Sequence, residues 1–357
     1  MKKTIAVLPG DGIGREVTEE AVKVLTVLAE RFNHTFNFEY GLIGAVAIDE
    51  TGLPLPPETL SLCKGADAVL LGAVGDPRYD HALRSEIRPE QGLLKIRQEL
   101  GLFANMRPVK SYPSLHKFSP LKVSYLQGID LVIFRELTGG IYFGEKKRRG
   151  DIASDLCQYS RSEIQRISLL AYETAMKRSG KVTLVDKANV LETSRLWREV
   201  VGEVARSYPA VQTDYLYVDN AAMQLMLNAR QFDVLLTENM FGDILSDEAS
   251  VLTGSLGMMP SASFGEGIAL YEPVHGSYPQ AAGRNIANPF GSILSAALML
   301  EYSFGLTVES ALISKAVESA LKEDMLTQDL SKGRGLSTSE AGDFIAGEVF
   351  NHVLESL

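Results

Sequence analysis

A chain of 357 residues is longer than one hydrophobic core ordinarily serves, so two domains are expected. With 45% hydrophobic and 22% charged residues it has the make-up of globular domains, which excludes a disordered chain. A net charge of -10 argues against a nucleic-acid partner, because phosphate backbones need basic patches, yet it permits a small anionic ligand gripped by a few placed arginines.

In chain order, residues 4–8 form a short apolar run stopped by Pro9-Gly10 and read as the first strand. That run is too short for the apolar region of a signal peptide, and no stretch is long enough to span a bilayer. A cytoplasmic protein with no membrane partner is expected. Residues 15–31 show helical spacing, with Val17, Ala21, Val24, Leu25 and Leu28 on one face. Buried strands are expected at 68–71, 131–134, 182–185 and 233–236, and helices at 292–305 and 308–326. Strand-like and helix-like runs alternate, which predicts an α/β fold with a largely parallel sheet and sites at the carboxyl ends of strands. Cys63 and Cys157 are far apart and lack metal-type spacing, so reduced thiols are expected. The five histidines contain no His-x-x-x-His pair, which disfavours a histidine-based zinc site.

Gly10-Asp11-Gly12-Ile13-Gly14 follows a strand and opens a helix, the position of a dinucleotide-binding turn. The Rossmann pattern needs a third glycine where Arg15 stands, so a tight connection is the better reading.

The strongest local chemistry lies between Asn239 and Glu248. On a helix, Asp243 and Asp247 fall one turn apart on the same face. Like charges there cost about 0.2–0.5 kcal/mol, a sign that a bound cation would reverse. Oxygen ligands of this kind suit Mg²⁺ or Mn²⁺. The alternative is a solvated acidic face. Asp219, after a short strand-like run, reads either as a third ligand or as a helix N-cap. Arg97 lies in a helical run, Arg107 precedes Pro108, and Arg135 ends a buried strand. Arginine grips carboxylates bidentately, so three of them suit a dicarboxylate, though each alone also reads as a structural ion pair. Glu136 is a poor partner for Arg135, because successive strand side chains face opposite ways. Tyr142 and Lys187 stand where proton-transfer groups often do; their plainer readings are a strand aromatic and a surface cation.

Six segments taken together resemble the isocitrate/isopropylmalate dehydrogenase family. They are the loop from Leu8 to Gly14, Phe103-Ala104-Asn105-Met106-Arg107-Pro108, the run from Arg135 to Gly144, Asp186-Lys187-Ala188-Asn189-Val190, the run from Asn239 to Asp247, and Ile286-Ala287-Asn288-Pro289. The resemblance implies a two-domain fold that is not Rossmann, with mixed sheets flanked by helices. One domain would take residues 1–102 and 255–357, on the cofactor side. The other, 103–254, would be inserted centrally and carry the dimer interface and the metal-ligand helix. It also implies a homodimer with shared active sites, each borrowing Lys187 of the partner subunit and Asp219 of the partner subunit.

The activity implied is oxidative decarboxylation of a 2-hydroxy dicarboxylic acid with NAD and Mg²⁺ or Mn²⁺. Arg97, Arg107 and Arg135 would bind the substrate, Tyr142 and Lys187 would move protons, and Asp219, Asp243 and Asp247 would hold the metal, Asp219 also reaching the substrate. Glu90-Gln91-Gly92-Leu93-Leu94 resembles the isopropylmalate branch, with Leu93 and Leu94 as an apolar wall for an isopropyl group and Glu90 beside them. Two leucines cannot pair a third carboxylate, and burying one unpaired is costly. The cofactor would meet His275, Gly276, Ser277, Tyr278, Pro279, Gln280, Ala281 and Asn288. NAD-preferring relatives have Ala-Pro-Asp where this chain has Tyr278-Pro279-Gln280, so discrimination against NADP is expected to be weaker. Alternatives are a tartrate, homoisocitrate or isocitrate dehydrogenase of the same fold, a non-catalytic metabolite-binding relative, and a Mg²⁺-dependent phosphohydrolase. The last lacks a phosphate loop with Lys-Ser/Thr.

Overall fold

The computed structural model describes residues 1–79, 87–331 and 333–351. Residues 80–86, 332 and 352–357, part of the expected first domain, lie outside the described residues. The strands are β1 (Lys2–Gly10), β2 (Thr35–Tyr40), β3 (Ala68–Ala73), β4 (Ala104–Lys110), β5 (Asp130–Glu136), β6 (Lys146–Arg149), β7 (Ile152–Asp155), β8 (Lys181–Asp186), β9 (Gln212–Tyr217), β10 (Val234–Thr237), β11 (Pro260–Phe264) and β12 (Leu270–Pro273).

The chain divides into two compact units: Met1–Gly101 with Tyr112–Phe118 and Gly254–Leu357, and Leu102–Ser111 with Ser119–Thr253. The short return Tyr112–Phe118 belongs to the first unit for visible reasons. Leu115 packs where a side chain at Gly254 would collide with it, and Lys117 pairs with Asp324 at 2.7 Å.

In the first unit the strand order is β2-β1-β3-β12-β11. β1, β2, β3 and β12 run parallel, and β11 is antiparallel to β12. Ile5 to Leu8 and all of β3 are buried, the continuous apolar run of a sheet covered on both faces. One covering helix, Gly14–Phe32, buries the stripe Val17, Ala21, Val24, Leu25 and Leu28. It ends where Asn33 turns left-handed at φ 55°. Helices Phe290–Tyr302 and Thr338–Asn351 pack against it.

The second unit has the order β4-β5-β10-β8-β9, with β4 antiparallel to β5 and the other pairings parallel. The register sets Thr237 beside both Arg135 and Val185, so the carboxyl ends of β5, β10 and β8 finish level. Each unit is therefore mixed rather than wholly parallel. β6 and β7 form a separate antiparallel ribbon, exposed along its length and turned at Gly150 (φ 58°). Its charged sequence carries no alternation to announce it. Among the described residues no helix is long and apolar enough to cross a membrane.

Candidate active site

The level carboxyl ends of the second unit place its chemistry. Arg135 and Glu136 end β5 and face opposite ways, so they find different partners. Buried Arg135 donates through Nε and Nη2 to Asn239 Oδ1 at 3.0 and 2.8 Å, and through Nη1 to Asp243. Gly242 lets the helix Asn239–Thr253 pass: a Cβ there would stand 2.7 Å from the Arg135 stem. Glu136 accepts from the backbone N–H of Thr138 and Gly139 at 3.0 and 2.7 Å and shapes the next turn. Burial pushes its carboxyl up.

Tyr142 closes a 3₁₀ turn, Gly140–Tyr142, and is not the strand aromatic of the plainer reading. The turn needs its glycines. Gly140 has φ 73°, and a Cβ on it or on Gly139 would fall 2.3 or 2.5 Å from Tyr159. Tyr142 Oη donates to Asp243 Oδ2 at 2.7 Å, and its ring lies 5.4 Å from the Arg135 guanidinium carbon. Burial, then the Asp243 carboxylate, raises the phenol above its ordinary value, so it keeps its proton at neutral pH.

Arg107, on β4, donates to Asn105 Oδ1 at 2.6 Å and to Ser246 Oγ. Its Nη1 is 3.5 Å from Asp243 and 3.9 Å from Asp247. Partial burial raises the Asp247 carboxyl; Arg107 opposes that shift and the Asp243 charge adds to it.

Lys187 follows β8, and its Nζ donates to Asp219 Oδ1 at 2.5 Å, holding that carboxyl below its usual range. Asp219 is not an N-cap. Tyr217 occupies the cap of helix Val218–Asn228, and Asp219 lies in the first turn with its side chain turned to Lys187. Within one chain this pair does not join Asp243 and Asp247. Among the described residues, no three His, Cys, Asp or Glu side chains gather at metal-binding spacing.

In the first unit, Arg97 is buried on helix Glu90–Glu99, and its Nη2 donates to Glu272 Oε1 at 2.7 Å. Among the described residues its Nε has no hydrogen-bond partner. Glu90 is exposed, Leu93 and Leu94 are half-buried, and Glu90 Oε1 sits 3.1 Å from where Gly75 would carry a Cβ. The loop from His275 to Ala281 is braced from below: Ile13 N–H donates to Ser277 O at 2.7 Å. A side chain on Gly12 (φ 57°) would strike that same oxygen. Gly10 to Gly14 is thus an internal strut, in keeping with the failed Rossmann pattern. Tyr278 adopts a left-handed φ of 39°, with Pro279, Gln280 and Ala281 turning after it and Gly276 open at the surface. Asn288 Nδ2 donates to Asp329 at 3.1 Å. His275 is buried; its Nδ1 meets Gly276 O at 2.9 Å and, among the described residues, its Nε2 has no partner. Burial lowers its pKa, so the ring is neutral. A carbonyl only accepts, so Nδ1 carries the proton and Nε2 is a bare acceptor.

A family model described as isocitrate/isopropylmalate dehydrogenase matches residues 4–345. The chain belongs to the isocitrate/isopropylmalate dehydrogenase family. Proteins named 3-isopropylmalate dehydrogenase are similar over almost the whole length. That of Bacillus licheniformis is 56% identical, covering 98% of this chain and 95% of its own. That of Geobacillus kaustophilus is 57% identical, covering 98% and 96%. Among solved structures, isocitrate dehydrogenase from Methylococcus capsulatus superposes with TM-score 0.88 at 33% identity, covering 98% of this chain and 100% of that one. A beta-decarboxylating dehydrogenase from Thermococcus kodakarensis gives 0.79 at 38% identity, covering 97% and 96%.

In this member of the isocitrate/isopropylmalate dehydrogenase family, the second unit brings together Arg107, Arg135, Tyr142, Asp243 and Asp247. Lys187 and Asp219 form their own pair, and the first unit carries Arg97, the Glu90–Glu99 helix and the 275–288 loop. Sequence reasoning passed over Asn239, Tyr159, Asn105, Ser246 and the partner of Arg97, Glu272. One signal was available: Asn239, Asp243 and Asp247 stand four residues apart, on one helical stripe.

Proposed function

We propose that this protein oxidatively decarboxylates (2R,3S)-3-isopropylmalate to 4-methyl-2-oxopentanoate and CO₂ with NAD, in leucine biosynthesis. The observation that carries this reading is the near-full-length identity to enzymes named 3-isopropylmalate dehydrogenase. The site supports it.

Arg97, Arg107 and Arg135 bind the malate carboxylates. Leu93 and Leu94 face the isopropyl group, and Glu90 repels a further carboxylate. The fit of a divalent cation rests on Asp243 and Asp247, two oxygen donors one turn apart whose mutual repulsion a cation relieves; Asp219 of the partner subunit completes the set. The fit of NAD rests on the buried, unpartnered Nε2 of neutral His275, an acceptor for an amino group on a base. Gly276, Ser277, Tyr278, Pro279, Gln280, Ala281 and Asn288 line the rest of its site. When bound, the cation, Mg²⁺ or Mn²⁺, draws charge from the C2 oxygen and NAD accepts the C2 hydride.

Lys187 of the partner subunit, in its neutral amine form and released from the Asp219 pair, takes the C2-hydroxyl proton on Nζ, directly or through a water, as the ketone forms. The C3 carboxylate then leaves as CO₂, and Tyr142 Oη gives its proton to C3. The raised pKa of Tyr142 keeps that proton in place until it is needed. Exposed Met223, Leu227, Ile244 and Val251, on the helices that carry Asp219 and Asp243, are the apolar surface a homodimer would cover. Gln280 lacks the charge that repels a 2′-phosphate, so NADP is refused less strictly than NAD-only relatives refuse it.

The test is NADH formation with 3-isopropylmalate, NAD and Mg²⁺, beside isocitrate, malate and tartrate, with a chelator control. Turnover of isopropylmalate alone, abolished by chelation, is expected. Preference for another acid would reassign the Leu93-Leu94 pocket.

A further inference from the structure

Arg135, Tyr142 and Asp243 act on one substrate in the reading above, yet they come from a strand end, a glycine turn and a helix. One side chain touches all three elements. Asn239 is buried at the start of the helix Asn239–Thr253. Its Oδ1 accepts both Arg135 Nε and Nη2. Its Nδ2 donates to Gly139 O at 3.3 Å, in the turn that ends on Tyr142. Its backbone N–H donates to Tyr159 Oη at 3.0 Å, and the Tyr159 ring presses on Gly139 and Gly140 from behind. Four residues on, Asp243 receives both Arg135 Nη1 and Tyr142 Oη.

We propose that Asn239 is a positioning residue. Its amide fixes the Arg135 guanidinium and the Tyr142 turn at one distance from each other, so the group that holds the substrate carboxylate and the group that delivers the final proton stay in register. The amide is needed for both of its ends. Arginine only donates and a backbone carbonyl only accepts, so the bridge requires one acceptor and one donor on a planar group. Asparagine supplies both; aspartate supplies only acceptors.

This inference rests on the proposed decarboxylation, and two substitutions separate its parts. Asn239→Asp keeps the contact to Arg135 but sets a carboxylate oxygen against Gly139 O. Calorimetric affinity for isopropylmalate, measured with Mg²⁺ and without NAD, is expected to change less than about threefold. The turnover number is expected to fall about ten- to a hundredfold, the cost of a misplaced reacting group. The deuterium isotope effect with C2-deuterated substrate falls towards one, because the step after hydride transfer becomes limiting. Asn239→Ala also frees Arg135 and weakens isopropylmalate binding about tenfold, the worth of one lost charged hydrogen bond. If the alanine variant does not fold, the isosteric aspartate variant carries the test alone.

A kcat and isotope effect unchanged in Asn239→Asp overturn the proposal. So does a loss in which substrate affinity and turnover of that variant fall by the same factor and the isotope effect stays put. A wild type that does not turn over isopropylmalate overturns the assigned reaction instead, and the two failures are told apart by that control.

Discussion

The Asn239 cluster of the second unit and the 275–288 loop of the first treat buried polar atoms in opposite ways. Around Asn239, the side chains of Arg135, Arg107, Tyr142, Tyr159 and Asp243 all have partners within the chain. In the first unit, buried His275 Nε2 and Arg97 Nε have none among the described residues. An unpaired buried polar group costs about 1–3 kcal/mol, so a chain tolerates it where a ligand will settle the account. Under the proposed function, the difference would separate a cluster set for chemistry before substrate arrives from a loop left open for recognition.

The largest effect expected is the loss and return of turnover on mixing. Tyr142→Phe and Lys187→Ala should each lower kcat by about 10²–10⁴. Co-refolded, the two inactive variants should regain turnover, because one site of each mixed dimer then holds an intact Tyr142 and an intact Lys187. No regain would mean that Lys187 serves the site of its own chain. Asp247→Asn removes a charge from the proposed cation site in the Asn239 cluster. It should raise the Mg²⁺ concentration needed for half-maximal rate by about tenfold or more, read by metal titration.

The recognition side should respond in KM rather than kcat. His275→Ala should raise the KM for NAD about tenfold and leave kcat within about twofold. A loss in kcat alone would place His275 with the chemistry. Gln280→Asp should lower kcat/KM for NADP several-fold while sparing NAD, read with both cofactors at saturating isopropylmalate.

The smallest effect concerns stability. Glu136 and Glu238 are buried in the second unit and burial raises both carboxyls. The folded chain therefore holds these protons more tightly than the unfolded chain. Their contribution to stability is fully present below the ordinary carboxylate range and is lost as pH rises through the raised values. Glu238→Gln should flatten the decline in melting temperature between acid and neutral pH; an unchanged slope would mean that Glu238 contributes none of it.

How much of this was legible in sequence differs between the two regions. Val17 to Leu28 announced a helix because the spacing of its apolar residues survives in the packed face. Asp243 and Asp247 announced a site because their four-residue spacing is itself the geometry. Asp219 beside Lys187 was not readable, because the pairing joins separate elements 32 positions apart and replaces the local cap that sequence favours. Glu272 beside Arg97 was hidden for the same reason, at a separation of 175. Tyr159 was missed because its function is to fill the space two glycines leave, a matter of shape that a linear pattern does not carry.

Asp11 carries one more consequence. Its carboxylate accepts from Ala45 and Val46 N–H at 2.9 and 3.0 Å and from Gly75 N–H at 2.8 Å, and burial raises its pKa. Amides from two separate stretches of the chain, Ala45-Val46 and Gly75, are tied to two oxygen atoms of one group. They should therefore report a common opening free energy in hydrogen exchange, as members of a single opening event. The stretch beside Glu90 and the start of helix Ala45–Thr51 would come loose together or not at all.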